Sequence, residues 1–132
     1  MHRFSWQLVF ISLAFAINTV VSQATDALEQ NYPDIIAATV QFRGSETFDF
    51  DVTVSSPYDT PQRYADAFIV IGKDGTVYGE RKLLHDHADE QPFTRDLYDV
   101  KIPLGVQAVI VQGRDQQFGY GGKTMEVTLP RR

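Results

Sequence analysis

The strongest constraint on the fold is a strict alternation of apolar and polar side chains over residues 47–54. One parity holds Phe48, Phe50, Val52 and Val54, and the other holds Asp49, Asp51 and Thr53. Because side chains two residues apart lie on the same face of a strand, this pattern predicts a strand with one face in a core and one in water. Strands of that kind are typical of antiparallel sheets.

Shorter segments with the same signal recur along the chain between turn-forming residues. The strand before residue 44 is predicted to bury Ile36, Ala38, Val40 and Phe42, and a hairpin is predicted at Lys73-Asp74-Gly75. Further strands are predicted over residues 94–102, 106–112 and 123–129. About seven short strands without a long amphipathic helix predict an all-β fold, an immunoglobulin- or fibronectin-III-like antiparallel β-sandwich. A small β-barrel is the alternative.

The first residues have the features of a signal peptide. A basic start at His2-Arg3 precedes a largely apolar run from Trp6 to Ala16, and Ser22-Gln23-Ala24 supplies small residues for cleavage after Ala24. The apolar run is interrupted at residues 18–19, too early for a comfortable membrane span. We therefore predict a periplasmic or secreted protein with no stable membrane insertion after cleavage.

This interpretation divides the chain into three parts. Residues 1–24 are the signal peptide, residues 25–34 a polar N-terminal lead-in, and residues 35–132 a single β-sandwich domain. The chain has no cysteine, so stability must come from packing and backbone pairing, and neither a lipid-modified cysteine nor a cysteine nucleophile is available.

Composition and motifs argue against two classes of function. The formal net charge is −5 and the basic residues are scattered, which disfavours binding to nucleic acid. Ser55 and Ser56 are not framed by a nucleophile-elbow motif. We predict no catalytic residues, and hence a protein that is not an enzyme.

Residues 83–95 concentrate the chemistry of the chain. His85 and His87 would project from the same face of a strand, and Asp89 or Glu90 could complete a site for copper or zinc. The alternative is that both histidines are surface or capping residues beside a turn, with the carboxylates solvated or paired with Arg95.

The same segment also has a structural interpretation as a corner between the two sheets. Pro92 disfavours helix at Gln91, and Phe93 can insert one ring from the loop into the core. Arg95 can then form a bidentate ion pair with Asp89 or Glu90.

The second distinctive segment is Phe118-Gly119-Tyr120-Gly121-Gly122. Glycines beside aromatic rings predict either an exposed platform for a sugar, peptide or aromatic ligand, or a bulged hairpin corner with Tyr120 packed across it. If this segment and residues 83–95 lie at one end of the sandwich, they form a candidate binding surface. Its residues would be Arg95, Arg114, Asp115, Phe118 and Tyr120.

Three blocks together carry a resemblance to a known group of proteins. They are LLHDHADEQPFTR at residues 83–95, Ile102-Pro103-x-Gly105-Val106, and Gly113-Arg114-Asp115 leading to Gly119-Tyr120-Gly121-Gly122. The combination resembles a group of small exported bacterial proteins of unassigned function, over residues 63–130. The resemblance implies a periplasmic or secreted protein and supplies no catalytic residue.

Two functional hypotheses follow from the sequence. The first is a noncatalytic binding or interaction module of the bacterial envelope, whose partner is a protein or another envelope component. The second is a periplasmic metal-binding protein that holds copper or zinc through His85 and His87.

Overall fold

The computed structural model describes residues 30–132, so the predicted signal peptide and the start of the lead-in lie outside the described residues. Seven strands make up this part of the chain: β1 (Asp34–Gly44), β2 (Thr47–Ser55), β3 (Ala65–Ile71), β4 (Val77–Lys82), β5 (Phe93–Lys101), β6 (Ala108–Asp115) and β7 (Gly119–Thr128). Over residues 30–132 there is no helix of the length and hydropathy needed to cross a membrane.

The strands form two antiparallel sheets. One has the order β1-β2-β5 and the other the order β4-β3-β6-β7. All neighbouring strands pair antiparallel, and within residues 30–132 no strand pairing joins the two sheets. The predicted fibronectin-III-like sandwich is confirmed, and the alternative of a small closed barrel is wrong.

The core lies between the sheets, where the alternation in β2 predicts it. Phe48, Phe50 and Val52 are completely buried. The facing sheet contributes a matching set of fully buried side chains, namely Phe68, Val70, Val109 and Val111. Since the chain has no cysteine, this packing and the strand pairing hold the sheets together.

A bulge changes the predicted pattern in β1. The pairing with β2 shifts between Ile35 and Ala37. Ile35 is therefore fully buried while Ile36 is 43% exposed, so the prediction that Ile36 faces the core is wrong. Beyond the bulge Ala38 and Val40 pack against the core as predicted, but Phe42 is 36% exposed, so the prediction that it is buried is wrong. One extra residue in a strand is sufficient to exchange its two faces at that point.

The last hairpin is tighter than predicted. β6 continues to Asp115 and β7 begins at Gly119, so only residues 116–118 connect them. Glycines are needed within this strand because the chain before β1 lies directly against it. A Cβ atom on Gly121 would lie 2.4 Å from the Tyr32 ring, and one on Gly122 would lie 2.0 Å from the Pro33 carbonyl oxygen. The predicted bulged hairpin forms, with a register shift between Val111 and Gly113, but Tyr120 is 45% exposed and not packed across it. The alternative of an exposed platform for a ligand stays a prediction.

The pairing register places the candidate segments together. Val54 pairs with Phe93, Ala65 with Asp115, and Ala67 with Lys82, so the connections adjoining these residues emerge at the same end of the sandwich. We call this end, formed by residues 30–33, 56–64, 83–92 and 116–118, the site end. The predicted condition that the two distinctive segments share one end is met.

Candidate functional site

Arg63 links the connections at the site end. Its Nε donates to Asp115 Oδ2 at 3.2 Å, and Nη2 donates to the carbonyl oxygens of Gln30 and Asn31 at 3.2 and 2.8 Å. The guanidinium also lies over two aromatic rings, 4.2 Å from the centroid of Tyr58 and 4.8 Å from that of Phe118. One side chain therefore ties three segments of the site end together.

Asp115, predicted as part of a binding surface, is instead completely buried. Its Oδ2 also accepts hydrogen bonds from the backbone N–H groups of Gln117 and Phe118, both at 2.9 Å. Burial acts to raise the pKa of Asp115, but the Tyr58 hydroxyl, the two backbone N–H groups and Arg63 together outweigh it, so the pKa is lowered. The ionised carboxylate organises the β6–β7 turn and, being completely buried, does not lie on a surface open to a ligand.

A second buried carboxylate joins the loop after β2 to residues 83–92, the connection between β4 and β5, which we call the histidine segment. Asp59 accepts hydrogen bonds from the backbone N–H groups of Ala65 and His87, each at 3.0 Å. Gln91 adds a parallel link, because its Oε1 accepts from the Ser56 backbone at 2.7 Å while its Nε2 donates to the His87 carbonyl at 3.0 Å. Burial raises the pKa of Asp59, and the hydrogen bonds it accepts oppose that shift.

The histidines lie in the connection between β4 and β5, so the prediction that they occupy a strand is wrong. β4 ends at Lys82, and the Leu83 N–H then bonds to the Asp66 carbonyl as the chain leaves for the other sheet. The imidazoles nevertheless meet, with ring centroids 4.7 Å apart. His87 is 6% exposed and stacks on Phe93 at 4.0 Å, whereas His85 is exposed and its Nδ1 lies 2.7 Å from the Asp86 carbonyl.

The environment of His87 predicts a pH-dependent stability. Burial lowers its pKa, and the nearby Arg95 guanidinium lowers it further. Since the unfolded chain binds a proton more readily, with a pKa of about 6.5, stability is full above that pH and falls as the pH drops below it. We expect the free energy of unfolding to decrease from pH 7 to pH 5, and to decrease less in His87→Gln. Identical pH slopes in urea denaturation of the two proteins would contradict this.

Arg95 and Phe93 form the predicted corner. Arg95 makes the predicted bidentate pair with Glu90, with Nη1–Oε1 at 3.2 Å and Nη2–Oε2 at 2.9 Å, while Asp89 is exposed. Phe93 is 1% exposed and lies between the His87 ring and the core. The ion pair lowers the pKa of Glu90 and raises that of Arg95.

A groove of about 430 Å³ opens on the outer face of the β4-β3-β6-β7 sheet at the site end. Its walls bring together residues from both distinctive segments, including Tyr64, Asp66, Glu80, Leu84, Arg114 and Tyr120. Arg114 forms an ion pair with Asp66, and its guanidinium lies 5.8 Å from the Tyr120 ring centroid. The Tyr120 hydroxyl in turn lies 3.5 Å from Glu80 Oε2. The predicted candidates Arg114 and Tyr120 thus share this groove.

A smaller cleft of about 160 Å³ adjoins the groove across residues 82–84. It is lined by Arg81, Lys82, Leu83, Leu84, His85, His87 and Arg95. Of the predicted metal ligands, only the two histidines line it, and Glu90 is already engaged by Arg95. Among residues 30–132, no three histidine, cysteine, aspartate or glutamate side chains are grouped to hold a metal ion. The metal site stays a prediction, with two of its four proposed ligands together.

Sequence reasoning missed several residues that build the site end. Arg63, Asp59 and Gln91 are the most important, because each joins connections that are distant in sequence. Their only sequence signal is a polar residue type in a loop, which does not separate a buried hydrogen-bonding side chain from a solvated one. The groove residues Tyr64, Asp66 and Glu80 were missed for another reason. Asp66 and Glu80 lie in strands and Tyr64 directly precedes one, and a polar side chain in such a position is expected to be solvated.

A comparison with curated proteins finds one similar protein, described as "Putative lipoprotein", from Halomicrobium mukohataei. The identity is 36% over 103 residues, which cover 78% of this chain and 50% of that protein. The chain thus spans about half the length of this curated relative. No protein-family model matches the chain, and no solved structure matches it.

Proposed function

We propose that this protein is an exported, noncatalytic binding module of the cell envelope that recognises carbohydrate through the groove at the site end. The observation that carries the proposal is the composition of the groove, in which two tyrosines stand beside a charge-balanced set of polar side chains. Export is supported by the signal-peptide features of residues 1–24 and by the similarity to the protein described as "Putative lipoprotein".

The charges of the groove favour a neutral polar ligand. Asp66 and Glu80 contribute two acids, and Lys82 and Arg114 contribute two bases. A simple cation or anion gains little net attraction from such a set. The same groups offer many hydrogen-bond donors and acceptors, which match the hydroxyl groups of a sugar.

The tyrosines supply the complementary apolar surface. Tyr120 is 45% exposed, and Tyr64 is half-buried with its hydroxyl 3.5 Å from the Leu84 carbonyl oxygen. An aromatic ring can pack against the C–H face of a pyranose while its hydroxyl stays in water. The ion pair between Asp66 and Arg114 fixes these two polar side chains before any ligand arrives.

Carbohydrate binding can be tested with the purified exported protein on an array of hexose- and amino-sugar-containing oligosaccharides, followed by calorimetry with the best ligand. We expect Tyr120→Ala to weaken the affinity about tenfold, because the stacking surface is lost. Leu104→Ala is the matched control, since Leu104 is an exposed apolar residue on the β5–β6 connection, away from the groove. Failure to bind any glycan, or unchanged affinity in Tyr120→Ala, would contradict the proposal.

A further inference from the structure

We propose that the small cleft beside the groove is a binding site for an oxyanion, either a phosphate, sulfate or carboxylate group. Five of its seven lining residues carry basic side chains, and none is acidic. This inference stands on the cleft alone and does not require that the groove bind carbohydrate.

The charge of the cleft differs in sign from that of the whole protein. Three permanent cations line it: Arg81, Lys82 and Arg95. Arg81 is paired with Asp96 and Arg95 with Glu90, so the net charge of 3 − 2 = +1, with both imidazoles counted as neutral, comes from Lys82, which the cleft shares with the groove. The chain carries a formal net charge of −5, so the cleft is a local positive site on an acidic molecule.

The donors of the cleft are partly uncommitted. Within residues 30–132, Lys82 forms no ion pair, and Arg81 uses only Nη1 for its contacts with Asp96. As neighbours in a strand these two side chains project from opposite faces of β4, so the Lys82 ammonium and the remaining N–H groups of Arg81 can donate to the oxygen atoms of an anion from the two sides of the strand end. Arg81 and Lys82 are the last two residues of β4, and the pairing of β4 with β3 fixes their backbone positions.

The size of the cleft favours a small ion. At about 160 Å³ it is below the range typical of pockets for drug-sized molecules, roughly 300–1,000 Å³. Lys82, Leu83 and Leu84 line both the cleft and the groove. The oxyanion can therefore be a free ion or a charged substituent of a ligand that lies in the groove.

The same features disfavour the metal hypothesis for His85 and His87. A divalent cation in this cleft would lie among three positively charged side chains, and Glu90 would have to leave Arg95 to serve as a ligand. The two hypotheses therefore predict opposite signs for the ion that binds beside His87.

Titration of isotope-labelled protein with inorganic phosphate, followed by amide and side-chain NMR shifts, tests the proposal. We expect saturable shifts centred on residues 81–87 and Arg95, and at least about tenfold weaker binding in Arg81→Gln/Lys82→Gln. Because the Arg81 and Asp96 side chains are each more than a third exposed, at 38% and 39%, the double variant should fold. Lys82→Gln alone is the second variant. Its matched control is Lys101→Gln, which removes the same single charge from an exposed lysine at the far end of β5.

A parallel titration with glucose 1-phosphate separates the sources of the anion. Equal affinity for both compounds indicates a free ion, whereas tighter binding of the sugar phosphate, with added shifts at Tyr120, indicates a substituent on a groove ligand. Absence of shifts in the cleft, or equal binding by the double variant and Lys101→Gln, would overturn the proposal. Saturable binding of zinc or copper that is lost in His85→Ala/His87→Ala would overturn it in favour of the metal site. None of these outcomes depends on the glycan array.

Discussion

Replacing Arg63 with alanine is expected to lower the free energy of unfolding by about 3 kcal/mol, because the buried Asp115 loses its charge partner. The Arg63 side chain is 23% exposed, so we place the effect at the lower end of the range for a broken buried pair. The variant also loses the contacts to the carbonyl oxygens of Gln30 and Asn31 and to the rings of Tyr58 and Phe118. Urea denaturation of the two proteins measures the difference.

Arg43→Ala is the control for this prediction. Arg43 also pairs with an aspartate, Asp49, but its side chain is 54% exposed, and an exposed pair contributes about 1 kcal/mol or less. If Arg63→Ala lowers the free energy of unfolding by no more than Arg43→Ala does, the contacts of Arg63 do not hold the site end together.

Replacing Phe93 with alanine is expected to cost about 3–5 kcal/mol of unfolding free energy, since a fully buried phenyl ring is removed from the core. The effect should extend to the histidine segment, because the His87 ring stacks on Phe93 at 4.0 Å. Thermal and urea unfolding give the first quantity, and hydrogen exchange of the backbone N–H of His87 reports the second.

Two controls make the Phe93 prediction specific. Leu104→Ala removes an apolar side chain that is 70% exposed and should leave stability nearly unchanged. Phe93→Leu keeps an apolar side chain in the core and should recover much of the loss. A Phe93→Ala protein as stable as Leu104→Ala would show that the corner does not anchor the segment.

The sandwich could be predicted because its signals are local. The alternation from Phe48 to Val54 and the turn at Lys73-Asp74-Gly75 are each set by neighbouring residues. The prediction failed where contacts with a distant part of the chain decide which side chains are exposed. The bulge at Ile35 reverses the exposure of Ile36, and the packing of Tyr32 and Pro33 explains why glycines stand within β7.

The site could be predicted only in part for a related reason. Residue type pointed to His85, His87, Arg114 and Tyr120, and the structure brings them to one end of the sandwich in two adjoining cavities. Residue type did not indicate that Asp115 is buried beneath Arg63, or that Glu90 is engaged by Arg95. Partners distant in sequence decide whether a charged side chain supports the fold or is free for a ligand.

Solution mapping of the bound surface tests the proposed binding face most directly. With the best oligosaccharide from the array, amide shifts should cluster at residues 64–66, 80–87 and 114–120, which adjoin the groove and the cleft. Shifts that cluster instead around residues 72–74, 78 and 105–108, which line a separate pocket away from these segments, would contradict a binding face at the site end.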